Sequence, residues 1–266
     1  MNAQQIKNID HILIKKGSKN IFCCPFTGKI LLTEKEQENE KNKYFHLFNS
    51  CIDDFCEVVA TRKVPKRDIN NTFYYGFFEP KEIAKRGKIY QLDVIQAYYN
   101  VSLNNSFISE KTDKRVKKLL SENPQDRSLI KAPLNISVGY CGMPEKVYYF
   151  DSEKNEYEYL ETRQNPLKDI RNKVVTDLAI IMHDICNKFN VSFFWVDAIF
   201  VENKEQEEEI RNYMQKKYNL QFSETKEYIT NMQQQKIILH SKEETKYFFL
   251  PQESTKIFCK YKKPFV

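Results

Sequence analysis

The chain has 266 residues, and 41% of them are hydrophobic, which is enough for one large domain or two small ones. Its 42 lysines and arginines outnumber its 36 aspartates and glutamates. This modest excess favours polyanionic partners and excludes the charge density of a histone-like protein. The polar N-terminus and the lack of a long apolar window predict a soluble, intracellular protein with no membrane partner.

The seven cysteines form no CxxC pair, and the four histidines do not lie beside them at the spacing of zinc ligands. This pattern favours free thiols in a reducing cytosol over a structural zinc site.

The N-terminal part of the chain predicts a short helix or arm followed by a small β element at about residues 20–32. Thr33, with a glutamate three residues later, forms a capping box that predicts a helix running to about Phe55. The basic, turn-rich residues 61–71 mark the boundary before the part of the chain that carries the chemistry.

Residues 72–80 predict a strand, and a turn at residues 85–87 leads into the apolar, β-prone run 88–100. This run presents Asp93 near its end. The two strands are expected to form a hairpin.

A helix is predicted over residues 109–122, with a thin apolar face and five cations: Lys111, Lys114, Arg115, Lys117 and Lys118. The sequence leaves two interpretations of these cations open. They form an ordinary solvated face, or they bind the phosphate oxygens of a triphosphate.

In the next segment, residues 129–142, Lys131, Asn135 and Gly139 recur every four residues and therefore share one face of a helix. The glycine allows another backbone or a flat base to come close. Because proline breaks or kinks a helix interior, the helix is expected to begin near Pro133.

A surface hairpin is predicted over residues 146–161, and Asn165 opens the longest amphipathic helix of the chain. The apolar run 193–201 predicts one strand buried on both faces, with Asp197 in its middle. Asn203 caps a further helix, and residues 236–250 predict two antiparallel strands followed by a basic tail.

Asp93 and Asp197 are the strongest chemical signal in the sequence. Burying an unpaired carboxylate costs several kcal/mol, so Asp197 needs a partner. A backbone donor or a basic side chain is one solution. Since two strands each present one carboxylate, the other solution is a pair that holds two divalent cations, which can activate a 3′-hydroxyl and neutralise a triphosphate.

With these elements in order, the chain resembles the palm and fingers of family B DNA polymerases, most closely the protein-primed type of phages and linear plasmids. Residues 93–100 are similar to the first motif of that family, Asp-x-x-Ser-Leu-Tyr-Pro-Ser. Residues 131–139 are similar to the second, Lys-x-x-x-Asn-Ser-x-Tyr-Gly, and residues 193–200 to the third, Tyr-x-Asp-Thr-Asp-Ser-Ile-Phe. Two shorter elements also match, at Tyr75-Gly76 and Lys246-Tyr247.

The resemblance implies a role for each matching residue. Two Mg²⁺ or Mn²⁺ ions would be held by Asp93, the Val94 carbonyl and Asp197. The incoming nucleotide would be bound by Tyr98, Lys131, Asn135 and Gly139, together with Lys114, Arg115 and Lys118 of the basic helix. The primer and template would be contacted by Tyr75, Gly76, Lys246 and Tyr247.

The resemblance also implies an α+β fold, in which an antiparallel palm sheet is backed by helices and carries abbreviated helical fingers. The expected domains are an N-terminal region of unknown role (1–71), the palm (72–104 and 144–222), short fingers (105–143) and a palm end with a rudimentary thumb (223–266). No exonuclease domain is expected, since 72 residues cannot hold one.

The implied function is a DNA polymerase that adds dNTPs to a 3′-hydroxyl by two-metal-ion catalysis. Its partners would be primer–template DNA, with a protein primer or other replication subunits. The composition suggests a phage or mobile element, and hence the cytoplasm of a bacterium or an infected host.

The third motif departs from the family at Trp195, where an aspartate is expected, and at Ala198, where a serine is expected. The alternative function is therefore a catalytically silent, palm-derived nucleic-acid-binding or scaffold subunit of a replication complex. A reverse-transcriptase-like palm is disfavoured, because that family uses paired aspartates in this motif. Retention of Asp93, Lys131 and Asp197 together favours the enzyme.

Overall fold

A computed structural model describes residues 9–16, 19–23, 30–31, 43–66, 86–151, 154, 156–233 and 236–249. The chain divides into two compact units. The first comprises Met1–Pro65 and Phe107–Arg171, and the second comprises Lys66–Ser106 and Asn172–Val266. Among the helices in the described ranges, none is both long and apolar enough to cross a membrane.

The described strands are β1 (Ile9–Lys16), β2 (Lys19–Cys23), β3 (Ile30–Leu31), β4 (Arg86–Asp93), β5 (Glu145–Asp151), β6 (Glu156–Arg163), β7 (Phe193–Trp195), β8 (Ala198–Val201), β9 (Lys226–Gln233), β10 (Lys236–His240) and β11 (Thr245–Phe249). The described α-helices are α1 (Phe45–Thr61), α2 (Ala97–Asn104), α3 (Glu110–Glu122), α4 (Arg127–Cys141), α5 (Lys168–Lys188) and α6 (Glu207–Tyr218). Short 3₁₀ turns at Pro124–Asp126 and Lys204–Gln206 precede α4 and α6.

The sheet of the first unit has the strand order β3-β2-β1-β5-β6, and all its pairs are antiparallel. The predicted hairpin at residues 146–161 is confirmed as β5 and β6. The prediction of a helix or arm before residue 20 was wrong, because residues 9–16 form β1. This strand pairs with β5, more than a hundred residues later, with Leu13 opposite Tyr148. Such a long-range partner leaves no local signal in the sequence.

The helices of the first unit bury one face each. In α1 the buried residues recur at helical spacing: Leu47, Phe48, Cys51, Phe55 and Val58. Phe48 meets the ring of Tyr140 of α4 edge to face, with ring centroids 5.1 Å apart. The predicted capping box at Thr33 lies outside the described residues. The described helix starts at Phe45 and runs past Phe55 to Thr61.

Helices α3 and α4 follow the predictions in part. The predicted helix at residues 109–122 is confirmed. Ser109 caps it by accepting a hydrogen bond from the Thr112 amide at 3.2 Å. The expectation that α4 begins near Pro133 was wrong, because that proline lies inside the helix and is buried. Packing of Ile130 and Leu134, which are fully buried, offsets the hydrogen bond that proline cannot donate.

The second unit is built on a six-stranded sheet of order β11-β10-β9-β4-β8-β7, with antiparallel pairs throughout. The predicted antiparallel strands at residues 236–250 are confirmed as β10 and β11. One sheet face carries a buried cluster: Ile89, Phe193, Ala198, Phe200, Tyr228, Ile237 and Leu239. On β7 the alternate residue Phe194 meets the ring of His183 of α5, with centroids 5.0 Å apart. The α+β class, with an antiparallel sheet backed by helices, is thereby confirmed.

Candidate functional site

The run 193–201 forms a tight hairpin, not the single buried strand that the sequence predicted. Strands β7 and β8 are joined by the two-residue turn Val196-Asp197, and Trp195 pairs with Ala198 across it. The stacked rings of Phe193 and Phe200, 4.2 Å apart, hold the hairpin together. The turn leaves Asp197 partly exposed, which reduces but does not remove the cost of burying its carboxylate.

The backbone of this turn is strained. Val196 has φ of 55°, a conformation that a β-branched residue rarely adopts. Gln96, three residues after Asp93, also has positive φ, at 47°. Both carboxylates therefore lie within three residues of a left-handed backbone position. Strain of this kind persists where the surrounding structure imposes it, and it is concentrated at functional sites.

Asp93 lies at the end of β4, directly beside the hairpin. In the antiparallel register it pairs with Ala198, the residue after Asp197. The Val94 amide donates a 2.9 Å hydrogen bond to the Asp197 carbonyl, and the Ser223 amide donates one of 2.8 Å to the Asp93 carbonyl. The backbone next to the two carboxylates is thus held on both sides. The role of the Val94 carbonyl as a metal ligand stays a prediction.

The electrostatics of the pair agree with its geometry. Burial and the negative charge of Asp93 raise the pKa of Asp197 to about 6. Asp93 in turn accepts a 2.7 Å hydrogen bond on Oδ1 from Nε2 of Gln91. Two carboxylates that repel each other in this way are stabilised by a cation between them.

The residues at this site suit a hard divalent cation. Mg²⁺ prefers oxygen ligands, keeps several waters and is commonly bound through only one or two carboxylates. The Asp93 and Asp197 pair meets that requirement. In the described part of the chain, no group of three or more His, Cys, Asp or Glu side chains could hold a metal ion.

Tyr98 lies in the first turn of α2, five residues after Asp93 and in the same unit. Its side chain is half-buried, and its carbonyl accepts a 2.7 Å hydrogen bond from the Ser102 hydroxyl. Asn100 anchors the turn between β4 and α2 through a 2.6 Å bond to the Ile95 carbonyl. The predicted contact of Tyr98 with a nucleotide sugar stays a prediction.

Lys246 of β11 is linked to Asp93 through Gln91. Its Nζ donates to Oε1 of Gln91 at 2.8 Å and lies 3.3 Å from Oε1 of Glu244 and 5.1 Å from the centroid of the Tyr228 ring. Tyr247 follows in the same strand, with its backbone opposite Ile238. The other two residues predicted to contact primer and template, at positions 75 and 76, lie outside the described residues.

Lys131, Asn135 and Gly139 are brought together on one face of α4, in the first unit. Asn135 and Gly139 are exposed, whereas Lys131 is half-buried. Burial and the nearby Arg127 charge lower the pKa of Lys131 below its usual value. A β-carbon at Gly139 would meet no atom within 4 Å, so the surface above this residue is open.

The cations of α3 are exposed, and several form ion pairs along the helix. Lys114 pairs with Glu110 at 2.6 Å, and Lys118 approaches Glu122 at 3.8 Å. Arg115 is the third predicted nucleotide ligand of this helix. Burial of His46 and the nearby charge of Arg115 lower the pKa of the His46 imidazole. Pairing of Lys114 and Lys118 agrees with a solvated face, and their role in binding phosphate stays a prediction.

Sequence reasoning missed Gln91, Tyr228 and Glu244. The Tyr228 hydroxyl donates to Oε1 of Glu244 at 2.5 Å, so these residues join Lys246 in one polar network on the sheet. A weak signal for Gln91 was present, because residues two apart in a strand share a face and Gln91 precedes Asp93 by two.

Cys51, Cys56, Cys141 and Cys186 are free thiols, as the sequence predicted.

Comparison with known proteins shows a distant similarity in structure, without a match in sequence. No protein-family model matches the chain, and no curated protein matches it either. Among solved structures, the family B DNA polymerase from the hyperthermophilic archaeon Pyrobaculum calidifontis is similar, with a TM-score of 0.43 and 12% sequence identity. The similarity covers 70% of this chain and 30% of that polymerase.

Proposed function

We propose that the chain is a DNA polymerase-like nucleotidyltransferase that adds deoxynucleotides to a 3′-hydroxyl and requires a divalent cation. The observation that carries the proposal is the carboxylate pair. Asp93 ends β4 and Asp197 lies in the β7–β8 turn, and the hydrogen bond from the Val94 amide to the Asp197 carbonyl links the two positions. Burial and the charge of Asp93 raise the pKa of Asp197. Such a pair is unfavourable by itself and becomes favourable when it binds cations.

Asp93 and Asp197 would hold Mg²⁺ or Mn²⁺, two ions in the full site. When bound, these ions lower the pKa of an attacking hydroxyl and neutralise a triphosphate. The protein itself supplies positioning. The sheet register fixes the spacing of the carboxylates, and Tyr98 at the start of α2 would lie under the sugar of the incoming nucleotide.

Further residues would bind the nucleotide and the nucleic acid. Lys131, with Asn135 and Gly139 on the same face of α4, would contact the nucleotide, and the cations of α3 would add positive charge for its phosphates. The net charge of +6 favours association with the DNA backbone, which is weakened by salt.

The test is extension of a labelled primer–template with dNTPs and Mg²⁺ or Mn²⁺, comparing the wild type with Asp93→Asn and Asp197→Asn. Each substitution keeps the side-chain shape and removes one negative charge, so we expect extension to fall by at least about a thousandfold. Asp53→Asn is the matched control, because Asp53 is an exposed aspartate of α1 in the first unit. It should leave extension unchanged.

A catalytically silent DNA-binding protein is the second candidate. It is favoured by Trp195, which stands beside the turn where a family B enzyme carries a further carboxylate. A wild type that binds primer–template but does not extend it, and whose DNA affinity is unchanged in both carboxylate variants, would establish this alternative and exclude the enzyme.

A further inference from the structure

Gln91 is a buried polar residue in the middle of the six-stranded sheet. The residue is 5% exposed, and it lies on the same face of β4 as Asp93. Burying an amide costs free energy unless both its donor and its acceptor are satisfied. An apolar residue would pack at this position without that cost, so the amide needs an explanation.

The NH₂ and the oxygen of the Gln91 amide both form hydrogen bonds, and their two partners have opposite charges. Nε2 donates to Oδ1 of Asp93 at 2.7 Å, while Oε1 accepts from Nζ of Lys246 at 2.8 Å. An ammonium can only donate and a carboxylate can only accept, so the amide has one possible orientation. A glutamate would present an acceptor to Asp93, and an asparagine is one methylene shorter. Glutamine matches both contacts.

Lys246 is itself held in place. Besides Gln91, its ammonium lies 3.3 Å from Glu244 and above the ring of Tyr228. Tyr228 is on β9 and Glu244 lies in the turn between β10 and β11, whereas Asp93 is on β4. The Gln91 amide thus connects the Lys246 ammonium to the Asp93 carboxylate at the end of β4.

We propose that Gln91 is a positioning residue that orients the Asp93 carboxylate for cation binding and couples it to Lys246. The role of that cation in catalysis rests on the function proposed above. By engaging Oδ1, Gln91 fixes the side-chain rotamer of Asp93. Within the described part of the chain, Oδ2 accepts no side-chain hydrogen bond, so this oxygen is available to a metal ion. Lys246 thereby acts on the metal site through Gln91.

The experiment measures Mn²⁺ affinity by isothermal titration calorimetry, together with primer extension as a function of Mn²⁺ concentration. Gln91→Met keeps the size of the side chain and removes both hydrogen bonds. Residues that orient metal ligands typically contribute about tenfold to a hundredfold in affinity. We expect a loss of that size in Mn²⁺ affinity, with extension largely recovered at saturating Mn²⁺.

The matched control is Thr230→Val. Thr230 is 1% exposed on the same sheet face, and its hydroxyl bonds the backbone of Gly87, not Asp93. It therefore tests the general effect of removing a buried hydrogen bond from this sheet. We expect lower thermal stability with Mn²⁺ affinity unchanged.

The coupling is tested with Lys246→Met, which we expect to reduce Mn²⁺ affinity less than Gln91→Met does. The double variant should be no weaker than Gln91→Met alone, because the effect of Lys246 passes through Gln91. If Gln91→Met does not fold, Lys246→Met decides the question, since an unchanged Mn²⁺ affinity in that variant contradicts the coupling.

The outcomes separate this inference from the proposed function. Equal Mn²⁺ affinity in the wild type and Gln91→Met overturns the role of Gln91, whether or not the protein extends primers. A wild type that binds Mn²⁺ but never extends a primer overturns the enzyme, while a tenfold loss in Gln91→Met still supports the positioning role. A wild type that binds no Mn²⁺ overturns both.

Discussion

At the scale of single residues, the candidate site combines two unfavourable features: a pair of like charges and a strained turn. The valine at the first turn position has φ of 55°, where most hairpins carry glycine, asparagine or aspartate. The cost of such a conformation is about 1–3 kcal/mol. A β-branched side chain at this position indicates that the surrounding structure imposes one conformation on the turn.

We expect Val196→Gly to raise the free energy of unfolding by up to about 1 kcal/mol, because the relieved strain exceeds the roughly 1 kcal/mol that glycine costs in chain entropy. Urea denaturation monitored by circular dichroism measures this difference. Asn219→Gly is the control. Asn219 also has positive φ, at 51°, but asparagine tolerates it, so the change should be close to zero. A loss of stability in Val196→Gly with no change in Asn219→Gly would show that Val196 is not strained.

At the scale of elements, the second unit depends on the contact between α5 and α6. Asp184 of α5 accepts hydrogen bonds from the hydroxyls of Tyr213 and Tyr218 at 2.7 and 2.6 Å and from Lys217 at 3.0 Å. Burial by itself raises the pKa of this carboxyl, but these three donors outweigh it and hold the pKa below its usual value. The charged form of Asp184 therefore stabilises the packing of the two helices.

We expect Asp184→Asn to lower the free energy of unfolding at pH 7 by about 1.5–3 kcal/mol, the usual contribution of a hydrogen bond to a charged group. Since the folded pKa is depressed, the stability from the carboxylate is present above the usual value of 3.8 and is lost as the pH falls through the lowered folded value. The difference between wild type and variant should therefore shrink as the pH falls below 3.8.

Urea denaturation at a series of pH values measures that difference. Glu209→Gln, which removes an exposed carboxylate in the first turn of α6, is the control and should give a small difference. A difference between wild type and Asp184→Asn that stays constant from pH 7 to the acid limit would contradict the assignment of a charged Asp184.

At the scale of the whole molecule, each unit is assembled from two separate stretches of the chain. In the first unit the N-terminal strand β1 lies in the middle of the sheet, between β2 and β5. Its pairing with β5 runs to Lys16 opposite Glu145. Strand β1 is therefore a structural partner of a hairpin encoded much later in the chain.

We expect a fragment comprising residues 43–266 to lose protection of the β5 and β6 amides, because an isolated two-stranded hairpin is only marginally stable. Exchange of these amides should be at least about tenfold faster, which corresponds to 1.4 kcal/mol of local stability. Hydrogen–deuterium exchange with mass spectrometry measures this, and the β4 and β9 amides of the second unit are the internal control. Unchanged protection of β5 would mean that β1 is dispensable.

Local patterns in the sequence were sufficient for much of the fold. The helical repeat predicted α3 and α5, and the alternation with polar turns predicted the β5–β6 and β10–β11 hairpins, because these elements depend on neighbours close in the chain. The same reasoning identified Asp93 and Asp197 as the residues to examine. A carboxylate within an apolar run can be recognised from the sequence alone, even when the group that it contacts is far away in the chain.

Only the tertiary structure decided how these parts meet. The run that carries Asp197 divides into a hairpin, because pairing of β8 with β4 and β7 places the carboxylate in a turn instead of a buried strand. The hydrogen bond from Lys246 to Gln91, at 2.8 Å, joins residues that are 155 positions apart in the chain. Strand pairing and buried polar contacts bring together residues far apart in the chain, and no local pattern in the sequence records which distant strand a residue will face.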